Sequence, residues 1–196
     1  MNGILAYEEF LAPAEAELLW GFAMAREPLF VASEVTNSAD GGHRDHDFRR
    51  SRVLYDLPGV HELLAGRVMQ HLPLVLHRLG VASFPVRDIE LQATATNDGE
   101  WFKPHRDSGD GAVATREVTF VYYCHREPRA FSGGALRMFG PGDDDAAAEN
   151  AAYDITPVQN SIVFFPSSYL HEVTYVSCPS RRFEDSRLTY NGWLHR

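Results

Sequence analysis

From Val86 to the C-terminus the chain breaks into short apolar runs separated by Gly, Pro, Asn and Asp. These runs read as strands at Val86–Thr96, Trp101–His105, Glu117–Cys124, Ala135–Phe139, Ala151–Ile155, Ser161–Phe165, Glu172–Val176 and Arg187–Leu194. Strands this short and closely spaced bury their apolar side chains by stacking sheet on sheet, so the texture predicts a β-sandwich or barrel. The acidic, Ala-rich stretch from Gly140 to Asn150, with Asp143, Asp144 and Asp145, reads as a loop between two of them.

Upstream the pattern is different. Pro13 suits a first helical turn, and Leu18, Leu19, Phe22 and Ala23 recur at helical spacing. Phe30–Thr36 reads as a strand, 37–50 as a polar loop around Gly41-Gly42, and Ser51–Leu57 as another strand. A long helix is expected over Pro58–Leu79, with an apolar stripe of Val60, Leu63, Leu64, Val68, Leu72 and Leu76. Pro73 is expected to kink or split it, and Gly80 to stop it. The expectation is one domain over residues 1–196: mainly β with flanking helices. Residues 1–85 supply helical support and substrate-edge strands, and residues 86–196 the β-core.

Charge narrows the partners. Lys and Arg number 18 against 27 Asp and Glu, a formal net charge of −9, with Lys103 the one lysine. That disfavours a dedicated nucleic-acid binder. Two cysteines, Cys124 and Cys178, and no signal-like N-terminus suggest a reducing, cytoplasmic setting. No apolar run is long enough to span a bilayer.

The chemistry concentrates at His105-Arg106-Asp107. On a strand, residues two apart share a side, so His105 and Asp107 would aim at one point with Arg106 facing away. His171, at the head of a later strand, can supply a third ligand. Two histidines and a carboxylate can hold one face of an octahedral metal and leave the other open, as a non-haem Fe(II) oxygenase requires. Arg187 shares a strand face with Thr189, Asn191 and Trp193. It could grip an acidic cosubstrate through a forked pair of hydrogen bonds. Arg181 and Arg182 are its rivals, in a loop. The same three ligands could instead hold zinc and activate water, as in a hydrolase, or the domain could be a non-catalytic jelly-roll binding module. His61, His71, His77, His125 and His195 read as packed or solvated. His43 and His46 lie in the polar loop and could serve a substrate.

Several stretches, in order, resemble the prolyl 4-hydroxylase-like branch of the Fe(II)/2-oxoglutarate-dependent dioxygenases. They are Gly99 to Asp107, Arg116 to Tyr123, Phe131 to Leu136 with its Gly133-Gly134 pair, Pro157 to Phe165 followed by His171-Glu172-Val173, and Ser186 to Trp193. The resemblance covers about the C-terminal half. It implies a double-stranded β-helix (jelly roll) core braced by the N-terminal helices. It implies iron ligands at His105, Asp107 and His171, and 2-oxoglutarate contacts at Arg187, Tyr123 and Asn191. Fe(II), 2-oxoglutarate and O2 would be required, with ascorbate as a supporting reductant. The implied reaction is hydroxylation of an aliphatic C–H bond, in a prolyl or other amino-acid residue or a small metabolite. Phe102, Val121, Val173 and Trp193 would keep water from the site. The loop from His43 to Arg50, with Arg49, Arg50 and Ser51, is the candidate lid or substrate edge, and Asp143-Asp144-Asp145 a second. One departure stands out. The family often places a tyrosine shortly before the glycine of the first-ligand segment, and here the nearby residues are Ala95, Thr96 and Asn97.

Overall fold

A computed structural model of the chain describes residues 3–33, 35–37, 41–43, 47–139 and 153–196. In chain order its strands are β1 (Leu5–Tyr7), β2 (Val31–Ala32), β3 (Val35–Asn37), β4 (Gly41–His43), β5 (Arg49–Arg50), β6 (Arg52–Leu54), β7 (Asp88–Thr96), β8 (Trp101–His105), β9 (Arg116–Tyr123), β10 (Ser132–Gly133), β11 (Leu136–Met138), β12 (Tyr153–Ile155), β13 (Ile162–Pro166), β14 (His171–Val173), β15 (Val176–Ser177) and β16 (Arg187–His195). The two α-helices are α1 (Pro13–Ala25) and α2 (Val60–Leu79). A larger antiparallel sheet runs β1-β13-β9-β16-β7-β6-β2, and a smaller one β12-β11-β14-β8-β5.

Strand alternation sorts the side chains into layers. On the larger sheet Ala93, Ala95, Val118, Phe120, Tyr122, Leu188, Tyr190 and Leu194 pack in one core with Leu19 and Ala23 of α1 and Leu64, Val68 and Val75 of α2. The alternate residues Val121, Tyr123, Val163 and Phe165 meet Leu136 and Met138 of the smaller sheet. The helices therefore cover one face of the larger sheet, and the other face closes on the smaller sheet. Burying each large apolar side chain contributes about 1.5–3 kcal/mol. Gly192 is fixed by this packing: it lies opposite Phe120 in register, and a Cβ there would sit 2.2 Å from the Phe120 ring.

The strands read from the sequence in the C-terminal half appear within a few residues of their expected bounds. The N-terminal part differs more. The strand expected over Phe30–Thr36 is two pieces, β2 and β3, and the expected loop over 37–50 contains β4 and β5. Nothing in the sequence marked β1, which adds to the edge by pairing Leu5 with Phe164. Pro73 does not split α2, which continues to Leu79. The carbonyl deprived of its partner belongs to Met69, an exposed residue, where water can satisfy it. Gly80 ends the helix at φ 70°, the left-handed conformation that favours glycine. The acidic loop from Gly140 to Asn150 lies outside the described residues, as does His46. Among the described residues no helix is long and apolar enough to cross a membrane.

Candidate metal centre

The pairing of β14 with β8 places His171 directly opposite His105. Cross-strand neighbours sit close enough for their side chains to meet, and the two imidazole centroids are 4.2 Å apart. β8 ends at His105, so Asp107 lies just past the strand and not on it. Its backbone N–H donates to the carbonyl of Ser167 at 2.9 Å, which fixes the turn. Asp107 Oδ1 then lies 3.6 Å from His105 Nε2, and Oδ2 lies 3.4 Å from His171 Nε2. Ligands at ordinary bond lengths around one ion sit about 3 Å apart when adjacent. One ligand atom from each residue lies within 4.8 Å of the others.

The surroundings set the protonation states. His105 Nδ1 faces the carbonyl of Lys103 at 2.7 Å, and His171 Nδ1 that of Tyr169 at 2.9 Å. A proton on each Nδ1 satisfies these carbonyls and turns both Nε2 lone pairs toward the centre. Burial, then the neighbouring His171, hold His105 down at about 3, so it is neutral. Burial pushes the Asp107 carboxyl up, but the two histidines, Trp193 and Thr119 outweigh it, and the net shift is downward. The Thr119 hydroxyl donates to Asp107 Oδ2 at 2.9 Å. The result is two imidazoles, each with Nε2 turned inward, and a carboxylate converging in a buried place, a donor set that fits a divalent cation.

These residues line a cavity of about 370 Å³ between the sheets, and Arg187 lines it too. Arg187 is 2% exposed. Its Nε donates to the carbonyl of Gly134 at 2.6 Å. Gly134 has φ +65°, and a Cβ there would come within 2.7 Å of the arginine Cδ, so the glycine pair makes room for this side chain. Arg187 Nη2, Tyr123 Oη and Thr189 Oγ1 are buried without a hydrogen-bond partner. Among the described residues no carboxylate forms an ion pair with Arg187. A buried guanidinium without a counter-ion is costly, and a bound carboxylate is what would satisfy it.

The structure brings His105, Asp107, His171, Arg187 and Asn191 to one cavity, with Phe102, Val121, Val173 and Trp193 also in its wall. Tyr123 is not in the wall. Arg187 Cζ lies 5.2 Å from the centroid of its ring. Asn191 donates its amide to Thr94 Oγ1 at 2.8 Å. Of Ala95, Thr96 and Asn97, which stand near the family's tyrosine position, Thr96 lines the cavity, together with Gln92 and Thr94. Arg106 turns to the carbonyl of Ser168. The rivals Arg181 and Arg182 pair with Asp98 and with Glu184 and Asp185. Of the polar loop, Phe48 and Arg49 reach the cavity, as does Ser51 just past the loop. Thr119 carried no motif. Its signal was a small hydroxyl side chain at an inward position of an apolar strand.

The sequence pattern of the 2OG-Fe(II) oxygenase superfamily matches residues 91–195. An uncharacterised PKHD-type hydroxylase of Synechocystis is 38% identical over 193 residues, covering 96% of this chain. The chain spans 62% of that relative's length. A prolyl-4-hydroxylase of Pseudomonas putida has a similar fold, at TM-score 0.72 and 22% identity, over 100% of this chain and 94% of the other. So does a prolyl hydroxylase of Trichoplax adhaerens solved with a peptide fragment of hypoxia inducible factor, at TM-score 0.73 and 18% identity, over 100% and 84%.

Proposed function

The chain belongs to the 2OG-Fe(II) oxygenase superfamily, and on that premise we propose that it is a dioxygenase that hydroxylates an aliphatic C–H bond. The observation that carries the reading is the buried, unpaired Arg187 in the same cavity as the His105, Asp107 and His171 cluster. A zinc hydrolase built on those three ligands would leave that charge without a use, and so would a binding module. When bound, Fe(II) and 2-oxoglutarate supply the oxidation, with O2 giving a hydroxylated product, succinate and CO2. The residues of the chain position and shield. His105 and His171 offer Nε2, held by their Nδ1 contacts, and Asp107 offers a carboxylate oriented by Thr119. Arg187 binds the far carboxylate of 2-oxoglutarate, with the Tyr123 hydroxyl as an additional donor. Asn191 and Thr94, bonded to each other, stiffen the polar wall beside it. Val121, Leu136, Val173 and Trp193 exclude water.

For substrate, the prolyl hydroxylases that share the fold support a prolyl residue of a peptide as the first class to test. The free, buried cysteines Cys124 and Cys178 suit a reducing, cytoplasmic location. The testing experiment is an anaerobic titration of metal-free protein with Fe(II) and then 2-oxoglutarate. The visible charge-transfer band of the chelated keto acid is expected to appear. Iron binding without the band would overturn the assignment.

A further inference from the structure

Arg187 is not the one buried arginine in the cavity. Arg49, on β5, is 9% exposed and lines the same space beside His105. It lies opposite Phe102 in the sheet, with its guanidinium carbon 4.6 Å from the Phe102 ring centroid. That ring in turn stacks on the His105 imidazole at 3.5 Å and 16°. Arg49 is therefore held one aromatic ring away from a metal ligand. Its Nε donates to Ser51 Oγ at 3.0 Å. Among the described residues its two terminal nitrogens donate no hydrogen bond, and no carboxylate forms an ion pair with it.

The charges of the cavity leave Arg49 over. Arg116 is neutralised by Glu90 at 2.6 Å, and Arg106, also in the wall, is engaged by the carbonyl of Ser168. On the reading given above, on which this inference rests, Fe(II), the Asp107 carboxylate, dianionic 2-oxoglutarate and Arg187 together carry no net charge. Arg49 then holds one positive charge, buried and without an ion pair among the described residues, beside the place where substrate must lie. In a chain of net charge −9, such a charge is a local feature of the cavity. We propose that Arg49 is a substrate-binding residue whose terminal nitrogens take a carboxylate of the substrate next to the metal centre. A planar guanidinium with its Nε already anchored presents a fixed edge to such a group. The carboxylate can be the end of a small molecule or chain, or an acidic side chain.

The test uses the protein loaded anaerobically with Fe(II) and saturating 2-oxoglutarate, which occupies Arg187. The charge-transfer band reports that state in every sample. Acetate and its neutral isostere acetamide are the probes, read by broadening of their methyl proton resonances by the paramagnetic iron. Acetate is expected to broaden saturably and acetamide at least tenfold less. Arg49→Gln should lower the acetate affinity at least tenfold, and Arg49→Lys should restore part of it. Equal behaviour of acetate and acetamide overturns the proposal, as does unchanged acetate binding in Arg49→Gln. If Arg49 serves only to press Phe102 onto His105, both probes change alike, and the proposal fails. Should Arg49→Gln lose the band, the probe pair on the unaltered protein and Arg49→Lys still decide. No band in the unaltered protein overturns the dioxygenase reading itself, a distinct result. N-acetylglycine against N-acetyl-aspartate α-methylamide then tells a terminal carboxylate from a side-chain one.

Discussion

The two faces of β9 and β16 use the same backbone for opposite ends. On the helix side, the Tyr122 hydroxyl donates to Asn160 Oδ1 at 2.9 Å and the Tyr190 hydroxyl to the Leu19 carbonyl at 2.7 Å. One residue along, on the inner side, the Tyr123 and Thr189 hydroxyls and Arg187 Nη2 are equally buried and have no partner. Buried polar groups in folded proteins are nearly always bonded. On these two strands the helix side obeys that rule through the tyrosines, and the inner side breaks it four times, Trp193 Nε1 being the fourth. One face is finished by folding. The other is finished by a ligand.

The largest expected effect tests whether the inner face is built around a metal at all. His171→Ala removes one of three ligands and should abolish Fe(II) binding, measured by equilibrium dialysis, while near-ultraviolet circular dichroism stays native. Retained binding would remove His171 from the centre. Next comes the unpaired charge. Arg187→Met should weaken 2-oxoglutarate on the order of 100-fold, as expected when one partner of a buried charged pair is lost, with Fe(II) affinity changed far less. Equal loss of both would mean that Arg187 supports the fold and not the cosubstrate.

The helix-side face was largely legible in the sequence, because period-two alternation and the α2 stripe both report burial. The clustering of His105, Asp107 and His171 was legible for a related reason. His105 and Asp107 are near neighbours, and His171 begins a recognisable strand. That Pro73 would not split α2 was not legible, since sequence cannot show that Met69 is exposed. The missing tyrosine was legible at Ala95, Thr96 and Asn97, but the role of Thr119 and the lining by Gln92, Thr94 and Thr96 needed the cavity itself. The same holds for Arg49: its residue type says nothing of burial, and only the pairing of β5 with β8 reveals that it stands beside His105.

On the helix side, Gly192→Ala should be the strongest disruption that leaves the site chemistry alone. Its Cβ would press on Phe120, and overpacking of this kind costs about 1–3 kcal/mol. A lowered denaturant midpoint with an unaltered charge-transfer band is the expected pair of results. Loss of the band at unchanged stability would mean that the two faces are not independent.

The smallest effects discriminate best, because they compare the same substitution on the two faces. Tyr190→Phe deletes a hydroxyl with a made hydrogen bond, worth about 0.5–1.5 kcal/mol net, while the Leu19 carbonyl keeps its bond within α1. It should therefore destabilise the protein. Tyr123→Phe deletes a hydroxyl with no partner, so the unliganded protein should be as stable as before or more so. Its cost should appear only with the ligand, as a several-fold weaker 2-oxoglutarate affinity and a smaller thermal stabilisation at saturating 2-oxoglutarate. If Tyr123→Phe instead destabilises the unliganded protein as much as Tyr190→Phe does, its hydroxyl is already satisfied there. The inner face would then be no more open than the outer one.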